Sequence, residues 1–468
     1  MADPAPRATS AEPAASPPAA DPAATIRSRQ FLVLLVLAAI VGVIASIAAW
    51  GFLQLIHQIQ VGVFTDLPKD LGLDGVPNWW YLPWLAIAGV IAAFAISKLP
   101  GTGGHTPAGG LNPSPTQPIE LPGVILAALA SIGLGVVLGP EAPLIALGGG
   151  LGALCVRAIR RDAPPQLTQM LAVAGTFAAV SFLFGSPLIA AVLLIEATGL
   201  GGPQRNVIIL PGLLAAGVGS LVSIGMGSFT GLSTSAISIG VLHLPTFTRP
   251  GWGEFGWTIA LSLAIAVGVA VIFHLARATV KVATPRPFLV LPVVGLAVAG
   301  LAIAFSEASG KSAQEVLFSG QDQLPGLVAS PDSWTLWALA GVIAFKGIAY
   351  GISLGSFRGG PAFPAMFLGS AAGMMAAHLP GFSLTPGVAV GLAAAVVAVL
   401  RLPLSAIVLS MVLTSKAGID AVPLIVVGTV VAYVAVLALD TVLGPRDAAA
   451  GEGAGAPAPA QESSSPSS

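Results

Sequence analysis

The sequence predicts an all-α, polytopic membrane protein built from many broken and tilted helices. Three observations carry that reading. Of 468 residues, 55% are hydrophobic and only 8% charged, and the mean hydropathy is +0.91, which excludes an ordinary soluble domain. Glycine (57) and proline (39) recur inside the apolar runs. Such breaks survive in a bilayer only where the freed backbone is buried in protein or lines a cavity, so a transporter or channel is the first expectation. Finally, Glu141 puts a lone carboxylate amid membrane-grade sequence, where an ionisable side chain faces protein or a wet path rather than lipid.

Composition also closes off other classes. A formal net charge of −1 with no basic cluster gives no footprint for nucleic acid. The single Cys155 allows neither an internal disulfide nor a thiolate metal site. Five histidines and few acids, without HExxH-like or paired-ligand spacing, point to no metal and no cofactor. A membrane-embedded enzyme, which needs a nucleophile with a base or a metal cluster, is therefore the lesser alternative. A non-transporting scaffold would have no use for an acid in lipid.

Taken in order, residues 1–28 are rich in Ala, Pro, Ser and Asp and read as a disordered cytosolic tail. Arg27 and Arg29 precede a first span at about 30–58, long enough to tilt strongly. A second span at about 80–98 opens with Trp79, Trp80, Tyr81 and Trp84, expected as an aromatic belt at the membrane surface. The glycine-rich turn from Gly101 to Pro107 is expected to expose backbone N–H groups and begin a short helix. Spans come next at about 121–138 and 141–158, then a loop with Arg157, Arg160 and Arg161 whose charge places it inside. Further spans fall at about 166–184, 187–198 and 206–226, the first two split by Gly185, Ser186 and Pro187.

The second half repeats this grammar. Spans are expected at about 254–278, 288–306 and 335–353, then a break from Arg358 to Pro364, then helices at about 365–378, 386–399, 402–414 and 421–442. Both halves carry a long span early and a Gly/Pro-broken pair late, as when two structural repeats meet around a midplane site. The expected organisation is a first repeat at 29–227, a connecting segment at 228–252, a second repeat at 253–444 and a disordered tail at 445–468. Lys346 and Arg401 are expected to snorkel or satisfy backbone carbonyls, and Lys416 and Asp420 to form a surface pair.

Gly139, Pro140 and Pro143 end one helix and pre-set the first turn of the next, which puts Glu141 at a helix N-terminus. Free N–H groups and a partial positive charge there suit a carboxylate or a small anion equally well. Two occupants that fit one place can displace each other, and a gate results. The plainer alternative is a glutamate that merely caps its helix.

These motifs resemble those of the CLC family of chloride channels and chloride/proton antiporters, over nearly all of 30–442. The stretch Gly139-Pro140-Glu141-Ala142-Pro143 is similar to the family's G-(K/R)-E-G-P, with Glu141 on the external gating glutamate. Gly360-Pro361-Ala362-Phe363-Pro364 resembles G-x-F-x-P with the Phe displaced by one place, and Gly101 to Pro107 is a longer relative of G-S-G-I-P. The resemblance extends to Gly185-Ser186-Pro187 before Glu196, and to Arg401-Leu402-Pro403 before Thr414. It implies inverted repeats, a homodimer in a cell membrane with both termini cytoplasmic, and an anion site from Thr102, Gly103, Thr106, Pro140, Ala142, Gly360, Ala362 and Phe363. Departures bear on mechanism. The family's internal proton-transfer glutamate falls on Ala197, none of Tyr81, Tyr350 and Tyr433 stands where the family's inner-gate tyrosine should be, Pro140 replaces a basic residue, and Pro361 lacks an N–H.

An anion in a membrane must exchange its water for oriented dipoles, whereas a full charge alongside would hold it too tightly to leave. Three helix N-termini, after Pro107, at Glu141 and at Ala362, are expected to converge and contribute about 0.3–2 kcal/mol each. The expected function is passage of chloride or a similar anion, gated by Glu141, passive or loosely coupled because position 197 is alanine. An anion/proton antiporter drawing protons through Glu141, His105, Glu196 or water stays open as the alternative. For His105 and Glu196 themselves, simple turn bonding and helix-end capping are the competing roles.

Overall fold

The computed structural model describes residues 26–111, 116–199, 205–231 and 237–444. The expected tails, 1–28 and 445–468, lie outside them except for residues 26–28, where Ser28 caps the first helix. Nine helices among the described residues are long and apolar enough to cross a membrane. In the first half these include α1 (Arg29–Val61), α2 (Tyr81–Lys98), α4 (Glu141–Ile159), α5 (Pro165–Phe184) and α7 (Arg205–Thr230), with the shorter α3 (Leu121–Gly133) and α6 (Pro187–Thr198). In the second half α8 (Trp252–Ala283), α9 (Pro287–Ser309), α11 (Leu336–Ser356) and α15 (Val422–Leu443) are long. The short ones are α10 (Gln323–Ala329), α12 (Ala362–Ala376), α13 (Leu384–Leu400) and α14 (Pro403–Leu413). The chain is thus all-α, as the sequence predicts.

Helix α1 starts where the Ser28 side chain accepts the Phe31 N–H at 3.1 Å, the ordinary N-cap solution for an orphan donor. Its 33 residues span about 50 Å, well beyond a hydrocarbon core of about 30 Å, so α1 must tilt. Leu32, Val36 and Ile47 lie exposed on it while Ala38, Ala45 and Ala49 are fully buried. Large residues outside and small residues at the contacts are what membrane helices need, since lipid gives no hydrophobic drive for them to associate.

The same rule builds one tight pair in each half. A Cβ on Gly148 of α4 would lie 2.4 Å from the Gly175 carbonyl of α5, and one on Gly369 of α12 would lie 2.2 Å from the Gly391 carbonyl of α13. Helix α4 against α5, and α12 against α13, therefore pack backbone to backbone. Each pair comes after a Gly-Pro break, so the sequence grammar reappears as packing.

Several expectations need correction. The span foreseen to 138 ends at Gly133. Residues 134–140 turn back there, with Gly135 at φ 103°, a left-handed conformation that favours glycine. After Pro107 only a three-residue 3₁₀ turn forms, Pro107–Gly109. Helix α7 runs to Thr230, beyond the 226 foreseen, and the connecting segment after it is tied to the second half by the Leu242 N–H, which donates to the Leu413 carbonyl at 2.7 Å. Of the aromatic belt, Trp79 is exposed but Trp80 and Tyr81 are buried, with Trp80 Nε1 donating to the Val63 carbonyl and Tyr81 stacked on Phe64. Lys416 meets His243 and Asp420 accepts the Arg249 N–H, so each half of the foreseen surface pair bonds elsewhere.

Lys346 is fully buried on α11, and its Nζ donates to the carbonyls of Glu315, Val316, Leu317 and Phe318 at 2.9–3.3 Å. The Phe367 ring lies 4.6 Å from the same nitrogen, so the charge is enclosed on every side. Arg401 pairs with Asp440.

Candidate functional site

The first turns of α4 and α12 are built from matching sequence. Gly139-Pro140 precedes Glu141 and Gly360-Pro361 precedes Ala362, with a further proline, Pro143 or Pro364, two residues into each helix. Proline costs nothing there, because the first-turn N–H groups have no helical partner. Pro140 (φ −85°, ψ −4°) and Pro361 (φ −92°, ψ −11°) take up nearly the same conformation. The two turns are then pinned together by a short antiparallel bridge, in which the Gly139 N–H donates to the Gly360 carbonyl at 2.8 Å and the Gly360 N–H donates back.

This bridge aims the two helix N-termini at one small volume, and the Glu141 side chain fills it. Glu141 is 2% exposed, and its Oε1 accepts the Ala362 N–H, with the Phe363 N–H also directed at the carboxyl. Oε2 is buried and has no partner among the described residues. The carboxyl fits tightly. A Cβ on Gly360 would stand 2.0 Å from Glu141 Cδ, and one on Gly139 would stand 2.1 Å from Oε2. The acid thus binds the helix end of the other half, which goes beyond capping its own helix.

The surroundings of this spot are apolar and closely packed. Phe363 stacks on Phe184 with ring centroids 5.5 Å apart and planes at 12°. Phe184 ends α5 immediately before the Gly185-Ser186-Pro187 break, so that break also abuts the site, and Ser186 caps α6 by accepting the Ile189 N–H. Tyr350, fully buried on α11, donates its hydroxyl to the Pro361 carbonyl at 2.6 Å. The sequence assigned Tyr350 no role; it stands eleven residues before Pro361, and only the fold back from α11 into α12 brings them together.

The glycine-rich loop reaches the pair through Arg358. Four consecutive residues, Gly101, Thr102, Gly103 and Gly104, have positive φ (76°, 50°, 69° and 96°), a left-handed curl that only a glycine-rich run adopts readily. The curl turns the Thr102 and Gly104 carbonyls onto Arg358 Nε at 3.2 and 3.0 Å. Gly103 is buried against Ala127, Ile96 and the Arg358 stem. Thr106 leads the 3₁₀ turn at Pro107, and Thr102 is exposed.

The remaining candidate residues divide cleanly. The Gly360 N–H is used up by the bridge, and Pro140 and Pro361 have none, so Ala362 and Phe363 supply the donors that meet Glu141. Ala142 is half-buried on the first turn of α4. Glu196 accepts the Leu404 N–H at 2.9 Å, the Ser405 N–H at 2.7 Å and the Ser405 hydroxyl at 2.6 Å, a full cap on α14. His105 lies near Glu120 and Arg358. Burial holds its imidazole below the usual value, against the upward pull of Glu120, and the Arg358 charge adds to the lowering.

Known proteins share this architecture. Residues 108–437 match the model of the family described as voltage gated chloride channel. The chain belongs to that family. YfeO of Escherichia fergusonii, an ion-transport protein by name, is 29% identical over 373 residues, which cover 76% of this chain and 81% of that protein. YfeO proteins of Escherichia coli strains match to the same degree. Among solved structures, a slow cyanobacterial Cl⁻/H⁺ antiporter superposes with a TM-score of 0.70 at 18% identity, covering 88% of this chain and 99% of that one. A CLC-type fluoride/proton antiporter gives 0.65 at 17% identity, covering 86% and 95%. At these identities the likeness concerns the fold. The family consists of transporters and channels, so the chain is a multi-pass membrane protein of CLC type, built for anion transport.

Proposed function

We propose that the protein conducts chloride or a similar small monovalent anion across the bilayer, by a path that Glu141 gates. The observation that carries this is the Glu141 carboxylate on the Ala362 N–H at a meeting of two helix ends. A carboxylate oxygen there stands where an anion would otherwise collect the same donors, so anion and side chain compete for one place. Protonation at Oε2, the oxygen without a partner among the described residues, removes the charge that holds the side chain on those donors. The neutral acid withdraws, the anion enters, and deprotonation closes the path again.

The coupling is passive or loose. Position 197 is alanine, and both carboxylate oxygens of Glu196 are engaged in capping α14, so neither of these two positions offers a free acid to relay a proton. Strict anion/proton antiport is the competing reading, favoured by the fold likeness to two antiporters. Purified protein in liposomes decides: an imposed chloride gradient is expected to move chloride without driving protons uphill. Sustained uphill proton movement with a fixed stoichiometry would overturn the passive reading.

The same proposal includes two repeats at 29–227 and 253–444 joined by 228–252, supported by the matched Gly-Pro turns and the paired glycine contacts of α4–α5 and α12–α13. It also includes a homodimer in the cell membrane, each subunit with its own path and both termini on the cytoplasmic side, needing no cofactor and no nucleic acid.

A further inference from the structure

Lys346, Arg401 and Arg358 all sit against the helical body, and their charges are satisfied differently. Lys346 is closed in by four carbonyls and a ring, and Arg401 has Asp440. Arg358 has neither arrangement. Its Nε is shared between the Thr102 and Gly104 carbonyls, and Nη1 donates to the Phe357 carbonyl at 3.2 Å. Nη2 meets no acceptor, and no carboxylate pairs with the guanidinium, among the described residues. Glu120, the nearest acid of that loop, instead accepts the Gln117 N–H at 2.9 Å.

The setting makes an uncompensated charge costly. Arg358 is half-buried, its backbone N–H faces Ser131 Oγ of α3 at 3.5 Å, and it stands two residues before the Gly360 bridge. A guanidinium held in such a place normally pairs with a carboxylate or phosphate, because neutral carbonyls orient it without cancelling its charge. Here three carbonyls fix the plane of the fork and leave the Nη2 edge open. That arrangement calls for a mobile counterion.

We propose that the open edge of Arg358 is a second anion site, which holds a small monovalent halide two residues along the chain from the Gly360 bridge. It rests on the anion-transport reading above and adds a place where the anion waits. The site is charged yet weak enough to release its ion, because the three carbonyls have already taken part of the field. It also returns a positive charge to a gate region in which Pro140 offers none.

Two measurements test it. In wild-type crystals soaked in bromide, an anomalous peak is expected within hydrogen-bond distance of Arg358 Nη2. In liposomes, Arg358→Gln, which keeps a donor for the Thr102 and Gly104 carbonyls, is expected to raise the half-saturating chloride concentration by about tenfold or more. Bromide elsewhere with none at Arg358, or an unchanged half-saturation in a monodisperse variant, would overturn the proposal while wild-type flux leaves the transport reading intact. If the variant does not fold, the wild-type bromide map decides alone. Absence of flux in wild type with bromide on Arg358 would defeat the transport reading and uphold the site.

Discussion

Replacing Gly360 with alanine tests the plug directly. Gly360 has no left-handed φ, so alanine suits its backbone, and the effect must come from the added methyl. That carbon would stand 2.0 Å from Glu141 Cδ and 2.4 Å from Cγ, whereas ordinary contacts run at about 3.5–4 Å. The carboxyl must therefore retreat by about 1.5 Å, which breaks its bond to the Ala362 N–H. A hydrogen bond involving a charged group contributes about 1.5–3 kcal/mol, so the closed state loses about tenfold to a hundredfold in weight. Chloride efflux from liposomes near neutral pH should rise toward the level that wild type reaches only in acid, and the pH profile should flatten. Wild-type efflux and an unshifted profile, in a variant that remains monodisperse, would refute the claim that the carboxyl fills this volume when the path is closed.

Other outcomes rest on single contacts. Glu196→Gln exchanges one of the two acceptor oxygens at the start of α14 for an amide donor and is expected to lower stability by about 1–3 kcal/mol in thermal unfolding, with the pH profile of flux unchanged. A lost pH response at unchanged stability would instead return Glu196 to a proton route. Tyr350→Phe leaves the Pro361 carbonyl without its hydroxyl donor, at a cost of about 1–3 kcal/mol read from tryptophan fluorescence on heating. An unchanged midpoint would mean that the bond does not hold the α12 turn.

The membrane helices are legible in the sequence because apolar runs and Gly/Pro breaks act locally. The ends foreseen for α4, α5, α6, α12 and α13 lie within a few residues of those observed. Glu141 is equally legible, since a carboxylate in lipid-grade sequence has few places to go. The hidden part depends on contacts between distant segments. Nothing near residue 141 indicates that its carboxyl bonds Ala362, 221 residues away, or that the Gly360 N–H is spent on a bridge. The loop at 101–104 reads as a source of N–H groups, but its left-handed curl presents carbonyls to Arg358 instead. Arg358 does leave one trace in the sequence, a charge set directly before Gly359-Gly360-Pro361 in a chain with few charges.

The most direct test compares wild type and Glu141→Gln for chloride flux in liposomes from acid to neutral pH. Glutamine fits the same volume without a titratable charge. Flux that rises with acidity in wild type but stays high and flat in the variant is the predicted result. A variant that keeps the wild-type pH dependence would contradict Glu141 as the gate.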